Sequence, residues 1–184
     1  MKFLAIGCWA MSSLLSSVSY SNPASTSSSV ILDAVIVAST CSVVVESTDR
    51  GGHLTFPVYD KSAGAQTLQP MDFSLVVYEE NDSAPGCSAF DVGSTVSIKF
   101  GDAGQLDAQG VVTMGAGDAI RVAVQAVDRE AGYQGVLNEM NNTVTYDAKF
   151  AVAGEFKYQA RLMNVEHAQA GEYQGSLSFL VTYQ

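Results

Sequence analysis

The sequence G-E-Y-Q-G-S-L-S-F-L-V-T-Y-Q, residues 171–184, alternates two sets of side chains along most of its length. One set comprises Tyr173, Gly175, Leu177, Phe179, Val181 and Tyr183, and polar residues take most of the positions between them. Successive side chains of a β-strand point to opposite faces, so the pattern predicts a strand with one face in an apolar core. An open alternating edge invites pairing, so an earlier segment or another chain must cover it. We interpret the cover as another chain.

Residues 1–21 have the features of a signal peptide. Lys2 supplies a short positive region, residues 3–15 are apolar with small residues mixed in, and small residues near position 20 offer a cleavage site. The apolar run is short for a membrane span, although an N-terminal anchor helix is the alternative. We therefore predict export and removal of this segment.

The remaining residues, 22–184, suit a single domain. A formal net charge of −10 argues against nucleic acid and anionic membrane surfaces as partners. Charged residues make up only 15% of the chain, and Gly, Ser, Thr and Val are abundant, which favours an all-β fold.

Three cysteines are present, and Cys8 lies in the segment predicted to be removed. Cys41 and Cys87 remain, and an even pair in an exported chain indicates one disulfide. A pair of reduced core cysteines is the alternative, which fits a cytosolic protein.

Short strand patterns separated by turn signals recur along the chain, which is typical of a β-sandwich. Residues 22–29 are small and polar, and we expect them to be disordered when free. Pro57 favours an edge strand or a bulge. We predict no helix longer than a turn or two. The predicted strands are 30–41 with an extension to 47, 53–59, 73–77, 92–100, 111–114, 119–127, 143–152, 156–165 and the final segment.

No catalytic or metal-binding pattern emerges. His53 and His167 have no neighbours at zinc-ligand spacing, and the sequence contains no nucleophile elbow or phosphate-binding glycine loop. Asp102, Asp107 and Asp118 lie in Gly-rich stretches but lack the spacing of a calcium loop, so solvated loop carboxylates are the simpler interpretation. The sequence therefore disfavours an enzyme and implies no cofactor.

Several stretches occur in an order that carries a resemblance. The final strand has Gly171 fourteenth from the end and Tyr183 penultimate. The other stretches are V-I-L-D-A-V-I-V-A-S-T-C at 30–41, Phe73-Ser74-Leu75 leading to Cys87, R-V-A-V-Q-A-V-D-R-E-A-G at 121–132 and F-K-Y-Q-A-R-L at 156–162. Together they resemble the fimbrial (pilin) subunits of the bacterial chaperone–usher pathway, of the type 1 and P pilus kind.

This resemblance implies an incomplete immunoglobulin-like β-sandwich that lacks its last strand. A periplasmic chaperone, and later the N-terminal extension of the next subunit, would donate the missing strand beside the C-terminal strand. The extension would be residues 22–36, the pilin domain 37–184, and the further partners an outer-membrane usher and identical or related subunits. The resemblance places the donor side chains at Val30, Leu32, Ala34 and Ile36, and the chaperone-binding groove strand at Gly171, Tyr173, Gly175, Leu177, Phe179, Val181 and Tyr183.

The function implied is a structural subunit of a surface fimbria that contributes to adhesion. Two other classes stay open: a secreted, self-contained β-sandwich that binds carbohydrate, and an enzyme. A self-contained domain would have no need of residues 22–36.

Asp33 predicts the register of the donor strand without any resemblance. If Val30 and Leu32 face a groove, Asp33 faces away from it. A slip of one residue would insert Asp33 into the groove, and an unpaired buried carboxylate costs several kcal/mol. The family pattern has Gly where this chain has Ala34, which bears on either the register or the size of the facing pocket, because an added methyl group needs room in a close-packed groove.

Overall fold

The computed structural model describes residues 25–36, 41–49, 51–60 and 68–184. The predicted signal peptide, residues 1–21, lies outside these residues, as do the first positions of the predicted extension, 22–24. Residues 37–40, which open the predicted pilin domain, also lie outside them.

The fold is nearly all β, as predicted, with eleven strands and one short helix in the described part of the chain. Two 3-10 turns, Ser88–Val92 and Val165–His167, follow β4 and β10. The elements are β1 (Ser25–Ile36), β2 (Cys41–Ser47), β3 (His53–Asp60), β4 (Met71–Glu79), β5 (Thr95–Phe100), β6 (Leu106–Asp107), β7 (Gly110–Gly115), β8 (Arg121–Ala126), β9 (Thr143–Asp147), α1 (Ala148–Ala151), β10 (Glu155–Met163) and β11 (Gly171–Tyr183).

The strands form two layers that meet at β7. One layer has the order β3-β1-β11-β5-β9, and the other has the order β2-β4-β10-β8-β7-β6. The first half of β7 pairs with β8, and its second half pairs with β11, so this strand joins the layers. The result is a sandwich closed along one side, consistent with an immunoglobulin-like all-β fold.

Aromatic side chains join the two layers across the core. Phe100 of β5 meets Tyr158 of β10 with ring centroids 5.2 Å apart, and Tyr158 also stacks on Phe73 at 5.4 Å. The Tyr146 hydroxyl donates a hydrogen bond to the Tyr158 oxygen at 3.1 Å. Burial raises the pKa of both phenols, so they stay neutral in the physiological pH range.

Most predicted strands are confirmed. Ser25–Ser29, which we expected to be disordered when free, is here paired on both sides within β1. The strand predicted over 92–100 begins at Thr95, because Val92 belongs to the Ser88–Val92 turn, and the strand predicted over 156–165 ends at Met163. The strand predicted over 143–152 ends at Asp147 and gives way to α1. The Asp147 side chain accepts a hydrogen bond from Lys149 N at 2.9 Å, which caps the helix and ends the alternation.

The prediction for Pro57 is confirmed on both counts. Strand β3 lies at the end of its layer, and its pairing with β1 shifts by one residue opposite Ser27, at Pro57 and Val58. On the outer edge of β3, Thr55 N donates to Asp49 Oδ2 at 2.6 Å, and proline has no N–H to offer. Both features block pairing with a further strand.

The predicted disulfide between Cys41 and Cys87 is present. It joins the first residue of β2 to the residue before the Ser88–Val92 turn, across 46 positions of sequence. In the chain-entropy account, a loop of this size constrains the unfolded chain by about 4 kcal/mol.

We predict that the double variant Cys41→Ser/Cys87→Ser loses about 4 kcal/mol of unfolding free energy, because its unfolded chain is no longer cross-linked. Urea unfolding followed by circular dichroism measures the change, with the reduced wild-type protein as the control. Equal urea midpoints for the variant and the oxidised wild type would contradict the prediction.

Candidate functional site: a groove filled by the N-terminal strand

Strand β1 lies inside its layer, between β11 and the edge strand β3. It runs parallel to β11, from Thr26 opposite Gly171 to Ile36 opposite Val181, and antiparallel to β3. Among the described strands, β3 pairs only with β1. Removing β1 would therefore leave β3 without a ladder and one edge of β11 open. We call this slot the β1 groove, with β11 and β3 as its walls.

One face of β1 enters the core. Val30 is 0% exposed and Leu32 is 5% exposed, whereas Ile31 between them is 38% exposed. Val30 and Leu32 belong to the same buried cluster as Leu54 and Phe56 of β3 and as Leu177, Phe179 and Val181 of β11. The core of this layer is thus completed by side chains from β1.

The register places the predicted donor positions opposite the inward face of β11. Val30 lies opposite Gly175 and Leu32 opposite Leu177. Further along, Ala34 lies opposite Phe179 and Ile36 opposite Val181, while Asp33 is opposite Ser178 on the alternate set. The structure therefore brings the two predicted sets, donor strand and groove strand, side by side.

Residues of the predicted chaperone-binding groove strand, a motif that runs from Gly171 to Tyr183, also have contacts within the domain. Gly171 has a φ of +144°, and a Cβ there would clash with the Ala116 Cβ, so this position requires glycine for its own conformation. A Cβ on Gly175 would approach Val112 O of β7 to 3.0 Å. The Tyr183 ring packs on Phe90 at 5.9 Å. These contacts give the motif a structural role beside any role in recognition.

Tyr173 holds the N-terminal end of β11, one wall of the groove, in place. Its ring is 1% exposed and packs in a second small cluster with Tyr59, Ile120, Val165 and Ala168. Its hydroxyl accepts a hydrogen bond from Gln169 N at 2.9 Å, which ties the loop before β11 to the strand.

Sequence reasoning missed the second wall of the groove. Leu54, Phe56 and Tyr59 of β3 are buried, and Leu54 and Phe56 show the period of two expected for a strand. The bulge at Pro57 shifts the inward face from even to odd positions, so Tyr59 and not Val58 faces inward. The bulge predicted at Pro57 was the signal that could have identified this wall, had the change of inward face been followed along the strand.

In the structure of the single chain, the final strand is covered by β1 of the same chain, the earlier-segment alternative. Our interpretation that another chain covers it stays a prediction. Four residues of sequence separate Ile36 from Cys41, and an extended stretch of that length exceeds the roughly 10 Å between two packed sheets.

The described residues contain no group of three or more His, Cys, Asp or Glu side chains that could hold a metal ion. Within the same residues, no helix has the length and apolar character needed to cross a membrane. The groove contacts are main-chain ladders and apolar packing, so its chemistry is suited to binding a strand.

A comparison with family models gives a match to the family described as K88 fimbrial protein A, over residues 10–184. No curated protein matches the chain.

We predict that Phe179→Asp destabilises the protein by at least about 3 kcal/mol, because it removes a core ring and buries a carboxylate. Phe179 is 2% exposed and lies 6.0 Å from the ring of Phe100. The matched control, Leu180→Asp on the outer face of the same strand, should change stability by less than about 1 kcal/mol. Urea unfolding of both variants measures the difference, and equal losses would contradict the assignment of faces.

Proposed function

Since the chain belongs to the K88 fimbrial protein A family of chaperone–usher fimbrial subunits, we propose that it is a structural subunit of a bacterial cell-surface fimbria that polymerises by donor-strand complementation. In this proposal, β1 of one subunit fills the β1 groove of the next. The observation that carries the proposal is the position of β1, which completes both the ladder and the core of a layer from the end of a short linker.

A second copy of the chain offers a strand identical to the one already in the groove. Exchange of an identical element between protomers needs no new contact chemistry. Each subunit has one groove and one strand to give, so the contact is head-to-tail, and a head-to-tail contact that does not close generates a filament. Exchange of β1 between copies would therefore build a fibre.

The proposed donor side chains are Val30, Leu32, Ala34 and Ile36. Full burial of a Val, Leu or Ile side chain contributes roughly 1.5–3 kcal/mol, and main-chain hydrogen bonds to both walls add to this. Because β1 also completes the core, its removal exposes the apolar face of the groove. In the pairing of β1 with β11, Ala34 lies opposite Phe179.

We further propose that the subunit passes through the periplasm. There a chaperone lends a strand to the groove, reading the β11 residues from Gly171 to Tyr183, and an outer-membrane usher then orders the exchange. The contribution of the subunit to adhesion is made as part of the fimbria. No enzymatic activity and no nucleic-acid partner are proposed, because the net charge is −10 and the groove offers strand pairing.

A second candidate is a secreted, self-contained β-sandwich that binds carbohydrate. It is favoured by one observation, that β1 completes the sheet of its own chain. The two candidates differ in the need for a mobile β1, because only a fimbrial subunit must give that strand away.

We predict that Leu32→Asp blocks assembly, because it inserts an unpaired carboxylate into the apolar groove. The matched control is Ile31→Asp, whose side chain is on the outer face of β1, and it should assemble. Heat-resistant oligomer ladders on gels, from cells that express each variant with the assembly machinery, report the outcome. Ladders from both variants would favour the self-contained domain.

We also predict the effect of substitutions at Asp33 and Ala34, the two positions after Leu32. Asp33→Ala and Ala34→Gly should both assemble, because the first lies on the outer set and the second only removes a methyl group. Ala34→Asn should impede assembly, since the larger polar side chain lies opposite Phe179. The same gels measure all three, and loss of ladders in Asp33→Ala with retention in Leu32→Asp would reverse the face assignment.

A further inference from the structure

We propose that β1 is an autoinhibitory strand: in the free subunit it closes the groove of its own chain, and a second copy can enter only when it withdraws. The inference rests on the proposed function, because it concerns the same groove. It adds that the groove of the free monomer is filled by its own β1. The same strand that joins one subunit to the next therefore also prevents a free subunit from accepting a strand.

The first step of the argument is that the layer offers no other place for an incoming strand beside these walls. One edge of β11 carries β5 and β7, and the other carries β1. On the outer edge of β3, Asp49 Oδ2 accepts from Thr55 N, and the Ser47 hydroxyl donates to His53 O at 2.9 Å. With Pro57 on the same strand, this edge is occupied by side chains. A strand from a second copy must therefore take the place of β1.

The second step is that the linker to the disulfide-bonded Cys41, which acts as a tether, sets the direction of β1. Cys41 is bonded to Cys87, and Phe90, just beyond Cys87, packs on Tyr183 near the end of β11. The linker from Ile36 to Cys41 spans at most roughly 17 Å, so the end of β1 must lie near the end of β11. Intramolecular insertion is thus parallel to β11, and parallel ladders are slightly less stable per residue than antiparallel ones. A strand from another chain has no such tether.

The third step is that the two halves of β1 are held unequally. The apolar positions begin at Val30, and Ser25–Ser29 contains only serine and threonine. The polar half also faces the bulge at Pro57, where the pairing with β3 is interrupted. It therefore contributes main-chain hydrogen bonds with little apolar burial, and withdrawal of β1 should begin at its free N-terminal end.

A reversible cross-link can hold β1 in place. Ile31 lies directly opposite His53 in the antiparallel pairing, and both side chains are exposed. Leu32 N donates to Gly52 O at 3.0 Å, so the neighbouring pair of Ile31 and His53 is a non-hydrogen-bonded one, with a Cα separation of about 4.5 Å. That separation suits a disulfide. The cross-link would lie on the outer face and leave the core unchanged.

The experiment uses the exported full-length variant Ile31→Cys/His53→Cys as a monomer, mixed with a fluorescent peptide of residues 25–36. Mild reductant opens the exposed cross-link, and mass spectrometry checks that Cys41–Cys87, whose cysteines are 9% and 1% exposed, stays intact. Each single-cysteine variant is a control. We expect the oxidised double variant to take up peptide at least about tenfold more slowly than its reduced form, because the competent open state is removed. The reduced form should match the controls.

Each of the other outcomes is decisive. Equal uptake by the oxidised and reduced forms would overturn the autoinhibitory strand and leave the proposed fimbrial function intact, as would failure of the cross-link to form in folded monomer. No uptake by the reduced form or by either control, even when the peptide is in large excess over days, would instead contradict the groove as an acceptor site, and with it the proposed mode of assembly.

Discussion

The double pairing of β1, with β11 on one side and with β3 on the other, is the constraint on which the rest of this fold depends. Strand β3 has its outer edge blocked by Asp49, Ser47 and Pro57, so β1 is its only sheet partner among the described strands. The inward face of β11 also needs Val30 and Leu32 above it to complete a dry core. A segment at the start of the chain thus closes a sheet that the rest of the sequence leaves open.

This dependence links stability to assembly. In a sandwich that supplies all its own central strands, loss of a neighbouring chain leaves the core intact. Here the strand that completes the core is joined to the domain by a short linker. The chain belongs to a family of fimbrial subunits. In the proposed exchange, the donated strand is bound with the free energy of completing a fold, so kinetics would govern the step.

The sequence predicted the parts of the fold that depend on local pattern. The alternation of β11 and the edge position of Pro57 are confirmed, because side-chain period and the missing proline N–H act locally. The pairing of Cys41 with Cys87 is also confirmed, and it was predictable because only these two cysteines lie outside residues 1–21. The opposition of Val30 and Leu32 to β11 followed from period and resemblance together, and the residues are buried there. Their role as donor residues in a fibre stays a prediction.

What could not be predicted depends on contacts distant in sequence. Ser25–Ser29 has weak strand propensity, and only its two neighbours make it a strand. The change from β9 to α1 depends on one capping side chain, Asp147, within an otherwise continuous alternation. Pattern also cannot distinguish a strand inserted in its own chain from one inserted in another, because the contacts are chemically identical.

The most direct test of donor-strand complementation is a cryo-electron-microscopy map of the assembled fibre, in which the chain can be traced from the strand between β11 and β3 to the cysteine that follows it. The account predicts that this strand continues into Cys41 and β2 of the neighbouring subunit. A trace that leads to Cys41 of the same subunit, with neighbours joined through other surfaces, would contradict it.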